Sequence, residues 1–244
     1  GRIGHKYETA YKARERAFMR IIDAHVHLYP DEVAAHPAAW AATCGEAHWA
    51  ALCTRRRADG RPVQGFPSVD GLLREMDRAG VERAVLLGWY WERPETCAWQ
   101  NRFYADCVRA HPDRLDAFAS FHPRAGHGPT LEEVNFASDA GLIGLGELSP
   151  HSQGYGIDDP VFRVALARAG ELKLTVNLHV TDPEGRKYPG CVETPPADFT
   201  RLARDFPAVT FILAHWGGLL PLRDPSARGL SNVFYDTAAS PLMY

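Results

Sequence analysis

Two histidines in alternate positions near the start of the chain are the first residues whose spacing could support chemistry. His25 and His27 lie in the run Ile-Ile-Asp-Ala-His-Val-His-Leu, which is apolar enough to form a buried strand. Side chains at positions i and i+2 of a strand project to the same side, so these imidazoles can bind one metal ion. An alternating pair of this kind is only moderately specific, because it also occurs in strands that bind nothing.

Three further polar residues each follow an apolar, β-like run. Glu147 ends the run Leu-Ile-Gly-Leu-Gly-Glu, His179 ends Thr-Val-Asn-Leu-His, and His215 ends Phe-Ile-Leu-Ala-His. A polar side chain buried alone at such a place would need a partner to offset its desolvation, whereas several around a cation satisfy one another. Together with His25 and His27, these residues predict a divalent-metal site.

The elements that must position these side chains follow a regular alternation from residue 20 onward. The predicted strands are 20–28, 83–87, 115–121, 142–148, 174–180, 209–215 and 232–237, and the predicted helices are 69–79, 97–110, 131–139, 160–169 and 197–206. Short strands that alternate with helices are typical of the parallel βα units of a barrel. In such a barrel the carboxyl ends of the strands face the active-site mouth, where the five candidate residues lie.

The chain is divided by pattern into an extension and one barrel domain. Residues 1–19 are rich in basic residues and contain no strand-like run, so we interpret them as an N-terminal extension. Residues 20–244 are predicted to form a single (β/α) barrel domain. Residues 31–67 form a cap-like insertion in this interpretation, because an insertion after a barrel strand emerges on the catalytic face.

Composition and net charge indicate which kinds of binding partner the chain is expected to have. The net charge of −3 over 244 residues gives no electrostatic reason to expect nucleic acid or an anionic membrane. No apolar run approaches the roughly 20 residues that span a bilayer. Five cysteines without C-x-x-C spacing argue against a disulfide framework and a cysteine-based zinc site. These observations favour a soluble, cytoplasmic protein with a small-molecule substrate, and they leave a homo-oligomer open.

The segments at the strand ends together resemble the metal-dependent amidohydrolase superfamily, in particular its amidohydrolase 2 branch, which includes aminocarboxymuconate semialdehyde decarboxylase. The matching segments are IDAHVH (22–27), GELSP (146–150), NLHV (177–180), AHWGG (214–218) and NVFYDTAASP (232–241), and the resemblance spans residues 20–244. It implies an α/β fold of the (β/α)8 TIM-barrel type. Seven of its strands are visible in this sequence, and the C-terminal strand is absent.

The resemblance also implies a role for each matching residue. His25, His27 and His179 would be metal ligands, and His215 would be the catalytic residue that activates water at the metal. In related binuclear enzymes the carboxylate that matches Glu147 bridges two ions and His215 binds the second, so one ion and two ions both remain open. Zn²⁺ is the first choice for this donor set, with Mn²⁺ and Fe²⁺ as alternatives.

Three functions are compatible with these residues. The leading hypothesis is metal-dependent hydrolysis of an amide, lactone or ester by a metal-activated water. The first alternative is non-oxidative decarboxylation or hydration of a carboxylated substrate, since the same ligands serve both chemistries. The family normally supplies an aspartate after an eighth strand, and the sequence shows no such strand before Tyr244. Asp236 belongs to the seventh-strand segment, so we do not assign it to that role. A truncated, non-catalytic barrel is therefore the second alternative.

Aromatic and basic residues near the strand ends are weaker candidates. Trp89 and Trp91 are predicted to line the substrate pocket, because aromatic walls are common in ligand sites. His122, at the end of the third run, is a further pocket candidate. Arg93 and Arg102 could pair with a substrate carboxylate, although a structural or solvated ion pair is the favoured interpretation.

Overall fold

The computed structural model describes residues 20–239, and its centre is a sheet of seven parallel strands. The strands are neighbours in chain order: β1 (Ile22–Val26), β2 (Arg83–Leu86), β3 (Leu115–Ala119), β4 (Gly144–Leu148), β5 (Thr175–Leu178), β6 (Phe211–Leu213) and β7 (Val233–Tyr235). Each lies within the run predicted for it, which confirms the barrel-type α/β fold with seven strands. The extension predicted at residues 1–19 lies outside the described residues.

Helices connect the strands in the order that the sequence predicts. They are α1 (Asp31–Ala35), α2 (Pro37–Cys44), α3 (Ala47–Cys53), α4 (Val69–Ala79), α5 (Pro94–Ala110), α6 (His127–Asp139), α7 (Pro150–Gln153), α8 (Pro160–Glu171), α9 (Pro196–Asp205) and α10 (Leu220–Arg223). Helix α5 begins at Pro94 rather than at Cys97, because the fixed φ of proline suits the first helical position. Among the described residues, no helix is both long and apolar enough to cross a bilayer.

The inner strands carry the hydrophobic core. Leu86, Leu115 and Leu145 are fully buried, and each such side chain contributes about 1.5–3 kcal/mol relative to an exposed one. The two outer strands of the described sheet are covered less well, since Ile22 on β1 is 54% exposed and Phe234 on β7 is 56% exposed. The inner strands are therefore the rigid part of the scaffold on which the strand-end residues are held.

A second cluster of buried aromatic rings holds the segment between β1 and α4. Tyr29, Trp40, Trp49, Phe66 and Trp91 make mutual contacts with ring centroids 5.3–6.0 Å apart. Aromatic pairs of this kind contribute about 0.5–1.5 kcal/mol each beyond the area they bury. The helices between residues 31 and 53 thus pack on the aromatic segment that follows β2. Their assignment as a cap, and the division of the chain into domains, stay predictions.

A buried carboxylate reinforces this packing between α2 and α3. Glu46 is fully buried, and its two oxygens accept hydrogen bonds from the backbone N–H groups of Glu92 and Arg93 at 2.8 and 3.2 Å. Burial raises the pKa of Glu46 from 4.5 to about 7, although hydrogen bonds from Thr96 and this backbone oppose the shift. The folded protein therefore binds a proton here over a pH range in which the unfolded chain has lost it.

We expect the free energy of unfolding to fall, through Glu46, as the pH rises from about 4.5 to about 7, by up to about 3 kcal/mol. The sign follows because the folded state binds more protons than the unfolded state in this window. Urea unfolding of the wild type and Glu46→Gln at pH 5 and pH 8 measures the effect, since the variant lacks the titrating group. Glu171→Gln, at a carboxylate 65% exposed, is the control. Parallel pH profiles for wild type and Glu46→Gln would contradict the assignment.

Candidate metal centre

Five side chains from the carboxyl ends of β1, β4, β5 and β6 converge on one point. Glu147 is at the centre of the group and is only 1% exposed. Its Oε2 lies 3.7 Å from His25 Nε2 and 3.4 Å from His27 Nε2. Its Oε1 lies 2.8 Å from His179 Nδ1 and 3.5 Å from His215 Nε2. The structure thus brings together all five residues that the sequence singled out as a metal site, and their role as ligands stays a prediction.

For three of the histidines, the hydrogen-bond partner of the outward-facing ring nitrogen shows which nitrogen carries the proton. His27 Nδ1 lies 3.0 Å from the carbonyl oxygen of Leu87, and His215 Nδ1 lies 2.8 Å from that of Ala238. A carbonyl only accepts hydrogen bonds, so Nδ1 is the donor in both rings. His25 Nδ1 likewise faces an acceptor, Asp236 Oδ2, at 2.9 Å. In the neutral form, all three rings therefore direct an Nε2 lone pair towards Glu147.

The donor set fits a divalent cation. The Nε2 atoms of His25 and His27 are only 3.1 Å apart. Two lone pairs at this distance repel each other, and a cation between them removes the repulsion. Zn–N bonds of about 2.0–2.1 Å in a tetrahedral site separate neighbouring nitrogens by roughly 3.3 Å, close to the observed spacing. A histidine ligand also donates its other N–H to a carboxylate or carbonyl, as His25, His27 and His215 do here.

The candidate ligand atoms fall into two groups that share Glu147. One group is His25, His27 and Glu147, and the other is Glu147, His179 and His215, with ligand atoms within 4.8 Å of one another in each. His179 differs from the other histidines, because its Nδ1 faces Glu147 while the Thr181 hydroxyl lies 3.4 Å from its Nε2. The geometry accommodates one ion at either group or two ions with Glu147 between them.

The cluster holds an ionised carboxylate among imidazoles. Burial alone would raise the pKa of Glu147, but contacts with His179, His215 and His27 outweigh it and hold the pKa well below 4.5. Burial lowers the pKa of both His27 and His179, which favours the neutral form that binds metals. Burial also acts to lower the pKa of His215, yet its hydrogen bond to Glu147 and the charge of that carboxylate raise it to about 9.

A left-handed turn after β6 places the His215 ring. Residues 215–219 all have φ between 56° and 62°, although only Gly217 and Gly218 are glycines. Each non-glycine residue in this conformation costs about 1–2 kcal/mol, so the surrounding contacts must hold it. A Cβ at Gly217 would lie 2.8 Å from Cε1 of Tyr235, so a side chain would not fit there. The segment AHWGG contains the two glycines, but it does not indicate the length of the turn.

Asp236 is a residue of the site that the sequence analysis did not assign. It follows β7, is 9% exposed, and contacts both His25 and the backbone of His215. Burial acts to raise its pKa, but the hydrogen bond from His25 outweighs this and the pKa is lowered. The signal that identified Glu147 could have found it, because Asp236 is also the first acidic side chain after an apolar strand.

Two aromatic rings cover the cluster. Trp89 packs edge-on against His27 with centroids 4.9 Å apart, and stacks on Tyr90 at 4.5 Å. Tyr90 in turn lies 5.0 Å from the ring of His179. The indole Nε1 of Trp89 is buried and has no hydrogen-bond partner within the described residues. Trp89 and Tyr90 therefore form a wall beside the candidate ligands, and the role of Trp89 in a substrate pocket stays a prediction.

The other candidate pocket residues occupy different surroundings. Trp91 is fully buried in the aromatic cluster, and its Nε1 donates to Gln100 Oε1 at 2.7 Å. Both ring nitrogens of His122 are engaged by backbone, with Arg124 N at 3.1 Å and Gln153 O at 3.2 Å. The structure does not bring either residue into the contacts of the histidine cluster, and their pocket role stays a prediction.

The two arginines proposed as partners for a substrate carboxylate also lie apart from the cluster. Arg102 forms a two-pronged ion pair with Glu133, at 2.7 Å for each bond, and its guanidinium covers the ring of Phe136. Arg93 lines a cavity of about 510 Å³ between α2 and α5, which contains none of the five candidate ligands. The structural interpretation of Arg102 is the one that its contacts support.

Comparison with known proteins identifies a family and several solved structures with a similar fold. A family model described as Amidohydrolase matches residues 22–240. No curated protein matches the chain at a significant level. Among solved structures, a probable 2-pyrone-4,6-dicarboxylic acid hydrolase from Acinetobacter baumannii, with citric acid bound, is similar at 15% identity and a TM-score of 0.51. That match covers 90% of this chain and 70% of the other.

Two 5-carboxyvanillate decarboxylases have a similar fold. The enzyme from Sphingomonas paucimobilis is 20% identical with a TM-score of 0.59, over 83% of this chain and 69% of its own. The enzyme from Novosphingobium aromaticivorans, in complex with manganese and 4-hydroxy-3-methoxy-5-nitrobenzoic acid, is 15% identical with a TM-score of 0.59, over 85% of this chain and 68% of its own. At these identities the similarity concerns the fold.

Proposed function

We propose that this chain, which belongs to the amidohydrolase family, is a divalent-metal-dependent hydrolase of an ester, lactone or amide. The observation that carries the proposal is the convergence of four imidazoles on the buried carboxylate of Glu147. An arrangement of buried donors with two ring nitrogens 3.1 Å apart is unfavourable without a cation. Such a site has a function that offsets its cost to folding.

In such a reaction, four of these residues would bind the ion and His215 would transfer a proton. His25, His27, Glu147 and His179 would hold the ion, which supplies Lewis-acid polarisation of a substrate oxygen when bound. His215 has its Nδ1 fixed by the carbonyl of Ala238, so its Nε2 is the atom that accepts and returns a proton.

The aromatic wall completes the site on the side of β2. Trp89 and Tyr90 are 7% and 3% exposed, and they exclude water from the side of the cluster that they cover. Exclusion of water strengthens the electrostatic interactions of the ion and Glu147 with the reacting group.

The second candidate function is non-oxidative decarboxylation of a carboxylated aromatic substrate. The solved structures with a similar fold include decarboxylases as well as a probable hydrolase. Hydrolysis and decarboxylation use the same protein ligands, so the products must distinguish them.

We expect a chelator to abolish turnover and added Zn²⁺ or Mn²⁺ to restore it, because the ion polarises the reacting group. The experiment measures bound metal per chain and then assays lactones, esters and amides beside carboxylated aromatics, with release of carbon dioxide followed separately. His25→Ala should lose metal and activity together, whereas His36→Ala, at an exposed histidine of the same chain, should lose neither.

Two results would overturn the leading proposal. A purified protein that retains no ion after incubation with either metal lacks the proposed centre. Release of carbon dioxide from a carboxylated aromatic, with no hydrolysis of any ester, lactone or amide, would replace hydrolysis by the second candidate.

A further inference from the structure

Four donors surround the carboxylate of Asp236. Its Oδ2 accepts hydrogen bonds from His25 Nδ1 at 2.9 Å and from Asn177 Nδ2 at 3.2 Å. Its Oδ1 accepts from the backbone N–H groups of His215 at 3.0 Å and Ala238 at 3.1 Å. Because each oxygen has two donors, the carboxylate has one orientation and no unsatisfied position.

We infer that Asp236 is a positioning residue of the candidate metal centre, which keeps the proton of His25 on Nδ1 and holds the backbone of His215. The inference rests on the proposed function, since it concerns the same centre. A neutral imidazole carries one proton, and a carboxylate can only accept a hydrogen bond. Asp236 therefore leaves Nε2 of His25, the nitrogen that faces His27, with a free lone pair.

The His25 partner is unlike those of the neighbouring histidines. His27 and His215 donate to backbone carbonyls, which no side-chain substitution removes. His25 depends on the side chain of Asp236, which follows β7 and is 211 residues away in sequence. Of these three histidines, His25 is consequently the one whose tautomer a point substitution can reverse.

Asp236 acts on His215 through the backbone. Oδ1 binds the N–H of His215, and the carbonyl oxygen of Asp236 accepts from the N–H of Trp216 at 2.8 Å. These two bonds hold the first two residues of the left-handed turn, where both φ angles are unfavourable for residues with a Cβ. A single residue directly after β7 thus positions one histidine from β1 and one that follows β6.

Asp236→Asn tests the inference with little change in size. The new amide can keep its oxygen towards the N–H of His215, but it then presents an NH₂ group to His25 Nδ1. His25 must accept that bond, and its proton moves to Nε2, 3.1 Å from His27 Nε2. We expect the affinity for Zn²⁺, measured by calorimetry on the full chain, to fall by about 10- to 100-fold. We also expect the ¹⁵N resonances of His25 in zinc-free protein to change from the Nδ1–H to the Nε2–H tautomer.

Asp23→Asn is the matched control. It removes the same charge near the same histidine, but Asp23 is exposed, and among residues 20–239 its Oδ1 accepts a hydrogen bond from the backbone N–H of His25, at 3.2 Å. This variant should keep the affinity for Zn²⁺ and the Nδ1–H tautomer. Equal losses in Asp23→Asn and Asp236→Asn would show an effect of charge alone and overturn the inference.

The wild-type spectrum decides the question even if Asp236→Asn does not fold. A His25 that carries its proton on Nε2 in the zinc-free wild type contradicts the inference directly, as does unchanged Zn²⁺ affinity in a folded Asp236→Asn. The proposed function fails separately: a wild type that binds Zn²⁺ with the expected dependence on Asp236, yet turns over no substrate, upholds the inference and rejects the hydrolase.

Discussion

Glu147→Gln is expected to abolish metal binding at the centre and to lower turnover by about 10³-fold, which corresponds to about 4 kcal/mol of transition-state stabilisation. Glu147 is the member common to both groups of candidate ligands, so its loss affects one ion or two alike. The glutamine has nearly the same volume but no negative charge, so it removes the anionic oxygen ligand that the two groups share. Metal content and steady-state kinetics on the purified variant measure the effect.

Glu75→Gln provides the control for this experiment. That carboxylate is 59% exposed and pairs only with Arg78 on the same helix, where an ion pair contributes about 0.3–0.5 kcal/mol. It should leave metal content and turnover unchanged. Full metal content in Glu147→Gln, or activity within tenfold of the wild type, would remove Glu147 from the centre.

Gly144→Ala is expected to lower the free energy of unfolding by about 3 kcal/mol or more, and to reduce Tm by roughly 6–12 °C. A Cβ at Gly144 would lie 2.5 Å from the carbonyl oxygen of Thr175 and 2.6 Å from a ring carbon of Phe118. Gly144 is paired with both of these residues in the sheet, so β3 or β5 would have to move. Thermal and urea unfolding of metal-depleted protein isolate this effect from metal binding.

Gly128→Ala, the matched control, is expected to raise the free energy of unfolding rather than lower it. Gly128 lies in the first turn of α6, and no atom lies within 4 Å of the position of its Cβ. Alanine there is expected to stabilise the fold by a few tenths to about 1 kcal/mol, because it reduces the freedom of the unfolded chain. A Gly144→Ala variant with the thermal and urea unfolding midpoints of the wild type would contradict the close approach of β4 to β3 and β5.

The sequence was sufficient to predict the strands and the members of the histidine cluster. Apolar runs locate β1 to β7, and the first polar residue after a run lies at a strand end, which is how His179 and Glu147 could be found. Parallel strands bring these ends to one edge, so residues far apart in sequence were correctly predicted to meet. In each case the sequence pattern is local, and the barrel topology explains why residues that are distant in sequence lie close together.

The features that the sequence did not predict depend on contacts between elements. The polar residue after β7 could have indicated Asp236, but no local pattern reveals that its carboxylate reaches His25 on β1. Trp91 has the same side-chain type and neighbourhood as Trp89, but only the folded chain shows that it points into the aromatic cluster. The left-handed turn at residues 215–219 is held by hydrogen bonds to Asp236, which follows β7. Three of its residues are not glycine, and no local sequence pattern predicts a positive φ for them.

The position of Asp236 makes the geometry of the histidine cluster depend on one short strand. β7 has three residues, lies at one end of the described sheet order, and carries the exposed Phe234. Strands of this kind open more often than the buried centre of a sheet. Whenever β7 separates from β6, His25 loses its acceptor and the turn at His215 loses its two anchoring bonds at once. The arrangement of His25 and His215 therefore depends on the pairing of β7 with β6.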